Sequence, residues 1–426
     1  MKYGGPQELR TLVTFEKGKP PIQQPYFGPS SKLYLTPEYL RGGAQAEPIK
    51  AGVDSVEVKD GDTIVLWDGS NAGEALTGRQ GVLASTMTLL KPVYGLDRDY
   101  FYYAVKGVEP VLKAQTAGSG IPHVDKEVLG RQLILVLGKP EQAIVASVLS
   151  CVDSAIERME ANIAKHLRVE AGLMQTLLTC GIDDRGIIRS EETHEFRESP
   201  IGRIPSEWRT GGILDFAARS RQPILTGPFG ASLGAKDFIE DGVPVLRIGN
   251  VQAGYIDHSD LLHVSEKKAE ELARYRVEPG DLLFARQGAT TGRNALAGAP
   301  EKGFVINYHI IRVAVDGAKC SPIFLHAAFN SHNVKSQVER EKGKGTREGV
   351  NTATLRSFVL PIPAVKEQYR IADALQAHRT RSLAMASELR KLRSLKLGLM
   401  QDLLTGRKRV TALLNDAAAP EVAHAV

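Results

Sequence analysis

One eight-residue phrase occurs twice in this chain. Gly172-Leu173-Met174-Gln175-Thr176-Leu177-Leu178-Thr179 returns as Gly398-Leu399-Met400-Gln401-Asp402-Leu403-Leu404-Thr405, 226 positions later and with seven of eight residues unchanged. The same offset carries Glu141-Gln142 onto Glu367-Gln368 and Leu129 onto Leu355, whereas Gly61-Asp62, Gly69 and Gly73 map onto Gly280-Asp281, Gly288 and Gly292 at an offset of 219. Offsets that drift between fixed points describe two related units that kept a framework and diverged between its anchors. A chain built this way is constrained to two copies of one fold, and 426 residues are enough to hold them.

The repeated block predicts a long helix in each copy. Taking positions spaced alternately four and three, Val145, Leu149, Val152, Ile156, Met159, Ile163, His166, Glu170, Leu173 and Leu177 are apolar at eight of ten places. Ile371, Leu375, His378, Ser382, Met385, Leu389, Leu392, Lys396, Leu399 and Leu403 are apolar at seven of ten. A stripe recurring every 3.5 residues without internal proline predicts a coiled-coil seam, and 38 helical residues would span about 57 Å. Glu141 to Leu178 carries five acidic and three basic residues, Glu367 to Leu404 four acidic and seven basic. That opposite balance favours pairing of the two helices with each other, and an antiparallel pair is expected.

Ahead of each helix the pattern changes to short apolar runs bounded by Gly, Pro, Asn and Asp, which are strands and turns. Leu33-Tyr34-Leu35 and Val56 to Trp67 are such runs in the first copy, and Pro244 to Val251 and Val277 to Arg286 in the second, with a helix-like Ser265 to Tyr275 between. The fold class is α+β. Its expected parts are a strand-rich domain over 1–139, a long helix and linker over 140–193, a second strand-rich domain over 194–365, a second long helix over 366–411, and a tail over 412–426 that frays.

Composition excludes several classes. A chain 42% hydrophobic and 24% charged is that of a folded globular protein. No secretion signal or membrane span is read, so a cytoplasmic protein is expected. Cys151, Cys180 and Cys320 lack metal-ligand spacing and are read as free thiols. The net charge of +5 is weak evidence about partners, although Arg379 to Arg409 holds nine basic residues against Glu388 and Asp402.

Catalytic motifs are not recognisable. The stretch Gly227-Pro228-Phe229-Gly230-Ala231-Ser232-Leu233-Gly234 resembles a phosphate cradle but lacks the Gly-Lys-Ser/Thr ending. Asp54, Glu57 and Lys59 suggest a nuclease carboxylate set by composition only, because Glu57 and Lys59 alternate with apolar residues as on the exposed side of a strand. No metal or cofactor is therefore expected in this chain, and no catalytic residue.

What remains is recognition. The loop from Arg340 to Asn351 sets Lys342, Lys344 and Arg347 among glycines, where backbone can approach phosphate closely. The matching segment of the first copy, with Lys113 and His123, keeps glycines and fewer charges. Arg286, Gln287 and Arg293 flank the second Gly-Asp strand, where Trp67, Asp68 and Glu74 stand in the first. Different side chains on matching framework positions suit two readers of different bases, since Arg favours guanine and Gln favours adenine.

These residues resemble the DNA sequence-specificity subunit of type I restriction-modification systems. The resemblance is carried by Ile201-Gly202-Arg203-Ile204-Pro205-Ser206-Glu207-Trp208, Thr226-Gly227-Pro228-Phe229-Gly230, Val243 to Val251 with Arg247 and Asn250, Gly280 to Gly288, Ile362-Pro363 before Glu367-Gln368, and both helix ends. The family implies two target-recognition domains joined by two long antiparallel coiled-coil helices in a pseudo-two-fold internal repeat, each domain reading half of a bipartite asymmetric site. It implies that the helices set the unread gap and that two methyltransferase subunits, which bind S-adenosylmethionine, dock on the chain, with Leu173, Met174, Gln175, Leu177, Leu399, Met400, Gln401 and Leu403 as the contact residues. Nuclease/translocase subunits would complete the complex. The first copy departs from the pattern, having no Ile-Gly-x-Ile-Pro-x-x-Trp segment. A self-contained methyltransferase or nuclease, and a protein-interaction scaffold that does not bind DNA, stay open as alternatives.

Overall fold

The structure is a computed structural model that describes residues 4–93, 95–116, 122–342 and 349–410. The expected fraying tail, 412–426, lies outside the described residues. Helix and sheet are mixed, as an α+β chain requires, and no described helix is long and apolar enough to cross a membrane. Two compact units result, one made of 1–161 with 386–426 and the other of 162–385, so the cut passes through both long helices.

The first unit contains two four-stranded sheets. One runs Val13–Lys17, Met87–Pro92, Thr63–Leu66, Ala75–Thr77, antiparallel throughout. Thr63–Leu66 is buried along its whole length, which is why it reads as an unbroken apolar run. The other sheet runs Pro48–Lys50, Ser31–Leu35, Gly81–Leu83, Glu57–Val58, with a parallel step where Tyr34 faces Val82. Glu57 is exposed and pairs with Lys32, as the strand alternation demands. The helix Arg98–Ala114, capped by the Asp97 carboxylate on the Tyr100 N–H at 2.8 Å, places Tyr100, Phe101, Ala104 and Val105 on a core shared with Val145, Leu149 and Leu403.

In the second unit the all-antiparallel sheet has the same order: Ile224–Thr226, Ile310–Val313, Leu282–Ala285, Asn294–Leu296. Its other sheet again has a parallel step, between Val245 and Val305. The counterpart of the edge strand Glu57–Val58 is here a single bridge between Arg276 and Val305, while Phe238–Ile239 adds a strand at the opposite edge. Matching partners lie 211 positions apart at Tyr34 and Val245, 219 at Thr63 and Leu282, and 223 at Leu90 and Val313. The length differences therefore fall in the loops between strands.

One close approach recurs. After the strands Val13–Lys17 and Ile224–Thr226, Gly18 and Gly227 donate their N–H to Met87 O and Ile310 O at 2.9 and 3.1 Å. A Cβ on Gly18 would lie 2.1 Å from Ala84 O, and one on Gly227 2.2 Å from Asn307 O. Backbone packed this tightly admits only glycine.

The long helices are Lys139–Thr179 and Val365–Leu404. All twenty stripe positions are buried or half-buried, the flanking ones mostly exposed. Within the first unit the helix segments run antiparallel, with Lys396 on Asp153 at 2.5 Å and Arg393 on Glu160 at 2.7 Å. In the second unit Ser382 donates to Glu170 at 2.8 Å, and the His166 and His378 rings stack at 5.2 Å. Leu177 and Leu403, expected on a docking surface, are instead 1% and 7% exposed and belong to the cores of the second and first unit. Leu173 and Met174 lean on the second core and Leu399 and Met400 on the first, while Gln175 and Gln401 face outward.

The Glu-Gln pair explains how each helix is seated. Gln142 is fully buried; its Nε2 donates to Leu137 O at 2.7 Å and its Oε1 accepts from Asp97 N at 2.6 Å. Gln368 does the same with Pro363 O at 2.9 Å and Ser321 N at 3.2 Å. Glu141 accepts two bonds from Arg409, at 2.9 and 2.6 Å, just beyond the end of the other long helix. Glu367 accepts from Arg189, beyond the end of Lys139–Thr179, and also from Trp208 Nε1 at 3.1 Å and Ile182 N at 3.0 Å. Burial pulls the Arg189 guanidinium down, but the Glu367 carboxylate outweighs it and the net direction is up.

Glu367→Ala should destabilise the protein by about 3–5 kcal/mol, because it leaves a buried guanidinium with only the exposed Glu207 and strands an indole N–H. Glu141→Ala should cost less, since the Arg409 side chain is 45% exposed and can turn to water. Equal shifts of the urea midpoint for the two variants would contradict this. Gly227→Ala should cost roughly 1–3 kcal/mol or more by thermal unfolding, against little for Gly234→Ala, whose Cβ meets open space.

Candidate nucleic-acid interface

In the second unit the strand Leu282–Ala285 delivers its chain to Arg286 at one end of the sheet. The backbone there is held on both sides, Arg286 N–H donating to His309 O at 3.1 Å and Arg286 O accepting from Val350 N–H at 2.8 Å. The guanidinium lies 5.7 Å from the centre of the Phe229 ring and donates from Nη1 to Tyr308 O at 3.3 Å. Among the described residues it has no carboxylate partner, and its buried Nε has no hydrogen bond at all. Desolvation lowers its pKa, yet a guanidinium stays charged.

Aromatic surface surrounds this charge. Phe229 is 59% exposed and Tyr308 38%, their ring centres 5.9 Å apart, and the Tyr308 ring lies 3.7 Å from His309. His309 Nδ1 meets Gln287 Oε1 at 2.6 Å. Burial, and then the Arg286 charge, hold this imidazole below its ordinary range, so it is neutral at pH 7. Exposed rings offer apolar contact to a thymine methyl, and a guanidinium with no carboxylate among the described residues suits phosphate or a guanine edge.

The other expected residues of this unit divide. Arg293 is exposed and donates to Gln252 Oε1 at 2.9 Å. Arg247 is neutralised by Asp260. Asn250, expected at the DNA, is a correction: it is 4% exposed, and its amide is occupied by Arg247 N at 2.7 Å, Asp257 O at 2.9 Å and Asp260 O at 3.3 Å. It shapes the loop, and its amide protons are already used. A cleft of about 410 Å³ opens beside it, lined by Arg247, Asp257, Asp260, Asn307 and His309. Lys344, Arg347 and the side chain of Lys342 lie outside the described residues.

The first unit builds the same end with different chemistry. Trp67 follows Thr63–Leu66 and makes the matching backbone bonds, its N–H to Thr86 O at 2.8 Å and its O from Val124 N–H at 2.9 Å. Its ring leans on the core of the unit, so Trp67 packs where Arg286 projects. Asp68 is paired with Lys17 at 2.8 Å and bridges His123 through the backbone, as Gln287 bridges Gly349. His123 is exposed, and Lys113 is held by Glu109 at 2.6 Å. Glu74, matching Arg293, pairs with Arg41. A cleft of about 350 Å³, lined by Thr36, Arg41, Asp68, Asn71 and Thr86, occupies this end.

Sequence reasoning missed Phe229, Tyr308 and His309. Phe229 lies inside the glycine stretch read as a poor phosphate cradle, which folds into the short turns Gly230–Ser232 and Ala235–Asp237. Tyr308-His309 gave no signal beyond standing just before an apolar strand. Among the described residues no His, Cys, Asp or Glu cluster could hold a metal ion.

Comparison with known proteins shows what this chain is similar to. A family model described as "Type I restriction modification DNA specificity domain" matches residues 230–391, which include Arg286, Gln287 and the Tyr308-His309 pair. The type I restriction enzyme MjaVIII specificity subunit of Methanocaldococcus jannaschii is 28% identical over 384 residues, 89% of this chain and 87% of that protein. The EcoBI specificity subunit of Escherichia coli is 21% identical over 309 residues, 69% of this chain and 63% of that protein. Among solved structures, the S subunit of a type I restriction-modification system from M. genitalium has the same fold, with a TM-score of 0.58 at 15% identity over 94% of this chain and 95% of that one. A chain solved in work on assembly of a type I R-M system gives 0.55 at 14% identity, covering 95% and 99%. The specificity domain is matched mainly in the second unit, and the relatives that align across both units are type I restriction-modification specificity subunits, so that is the family this chain is similar to.

Proposed function

We propose that this chain is the DNA sequence-recognition subunit of a type I restriction-modification system, with no catalysis of its own, and that each unit reads one half of a bipartite asymmetric site in double-stranded DNA. The observation that carries this reading is the end of the second unit's sheet, where Arg286 has no carboxylate partner among the described residues and lies beside exposed Phe229 and Tyr308. A purely structural arginine with this burial would be neutralised, as Arg189 is. The names of the relatives support the same reading.

The finer architecture belongs to the proposal. Matched strand orders, the paired glycines and the paired Glu-Gln seats support an internal duplication, and the sheltered 3.5-residue stripes support a coiled coil of antiparallel helices. We take these helices as the spacer that sets the unread gap. Two methyltransferase subunits, which hold S-adenosylmethionine and methylate adenine, would dock on them, joined by nuclease/translocase subunits in the cytoplasm. Leu395 and Leu397, 52% and 70% exposed, support a docking face on the segment within the first unit.

Mapping methylated adenines in cells that carry this chain with its methyltransferase should reveal one split site with a fixed gap; methylation without a split motif, or by the purified chain alone, would overturn the reading. Arg286→Ala should weaken binding of that site roughly tenfold or more and reduce the salt dependence of binding if the contact is to phosphate. In a co-purification assay, Leu395→Asp with Leu397→Asp should lose the methyltransferase while leaving the thermal unfolding midpoint near wild type.

A further inference from the structure

We propose that His309 and Gln287 form a base-reading pair that selects a base bearing an exocyclic amino group in the major groove, adenine or cytosine, over guanine or thymine. The proposal rests on the DNA-recognition reading above and names the chemistry of its second unit. An amide carbonyl only accepts, so the contact from His309 Nδ1 to Gln287 Oε1 at 2.6 Å places the imidazole proton on Nδ1. The ring is neutral, and its Nε2 therefore carries a lone pair. Among the described residues no donor meets that lone pair, and His309 lines the open cleft beside Asn307 and Arg247.

A half-buried histidine with one nitrogen bound and the other left free toward a cleft differs from a core histidine, whose second nitrogen would be paired. Here the ring is also fixed in place. His309 N donates to Asn307 Oδ1 at 3.0 Å, its carbonyl accepts from Arg286 N, and the Tyr308 ring lies against it. An acceptor held this way can pair only with a donor. In the major groove the donors are adenine N6 and cytosine N4, while guanine and thymine present O6 and O4, which repel it. The Gln287 amino group, also without a partner among the described residues, supplies a donor next to this acceptor. A neighbouring donor and acceptor match N7 and N6 of adenine, and cytosine has no N7. The pair thus separates amino from keto bases through His309, and adenine from cytosine through Gln287.

The test is the recognised sequence, read from methylated sites made by the complete complex with its methyltransferase. His309→Phe should relax one position of the second unit's half-site, losing about tenfold or more of its preference for adenine or cytosine while every other position holds. Gln287→Glu removes the amino donor and sets a carboxylate beside Nδ1, which favours an imidazolium whose Nε2 donates, so it should replace the adenine or cytosine preference at that position by one for guanine or thymine. Should His309→Phe fail to fold, Gln287→Glu and His309→Asn carry the test. The assignment is overturned if the wild-type complex methylates a split site and no variant relaxes or switches a position, or if the position that changes is guanine or thymine on the read strand of the wild-type site. A wild-type complex that recognises no split site overturns the recognition reading and this assignment with it.

Discussion

The seat of each long helix is a Glu-Gln dipeptide whose two side chains bond in different directions. The glutamine closes the turn in front of its own helix and, through its carbonyl, holds the residue that caps a second helix packed on the sheet, Asp97 before Arg98–Ala114 in one unit and Ser321 before Pro322–Asn330 in the other. The glutamate catches an arginine that follows the far end of the other long helix. Adjacent residues thereby tie sheet, covering helix and both long helices at one point. Both glutamines are buried to 1% exposure or less, so losing either would leave amide groups unpaired in the interior, a penalty of about 1–3 kcal/mol for each group. A short-range constraint of this kind lets the strands between the seats change without moving the helices.

That division of labour is visible where the sheets end. Trp67 and Arg286 have the same backbone bonds, to the strand that follows and to Val124 or Val350. Gly18 and Gly227 allow the same close crossing. On this shared frame the first unit neutralises its charges, Asp68 with Lys17 and Glu74 with Arg41, while in the second Arg286 has no carboxylate among the described residues and Arg293 joins a neutral Gln252. Backbone geometry is common to both ends and side-chain electrostatics are not, which is what two readers of different bases require.

Much of the frame was legible because periodicity records burial directly. The 3.5-residue stripes, the Glu-Gln echo and the buried strand Thr63–Leu66 all follow from which faces must avoid water. The proposed reading surface was legible only in part. Arg286 and Gln287 stood out by position after a repeated strand, but Asn250 misled because a loop amide and a base-reading amide look alike in sequence; only its three backbone partners tell them apart. Phe229, Tyr308 and His309 come from segments about eighty positions apart and meet only when the strands Ile224–Thr226 and Ile310–Val313 pair. Leu177 and Leu403 misled for the converse reason, since a repeated surface motif and a repeated core motif leave the same trace.

An arginine with a buried, unbonded Nε is a local cost that the second unit carries. The surrounding restraints show why it is tolerated. Arg379 on the second long helix donates to Gly254 O at 2.8 Å, Gly254 N–H donates to Asn294 O at 3.0 Å, and the same short turn holds Gln252, which accepts from Arg293. Side chains that face the cleft are thus tied back to rigid elements within their own unit. Ordering them on binding would cost little, because long side chains left free lose about 0.5–1.5 kcal/mol each when immobilised at an interface. The Arg189, Arg247, Arg312 and Arg370 side chains of the same unit also leave a buried Nε unbonded, so what sets Arg286 apart is its lack of a carboxylate among the described residues, and the gain is a surface already held in shape.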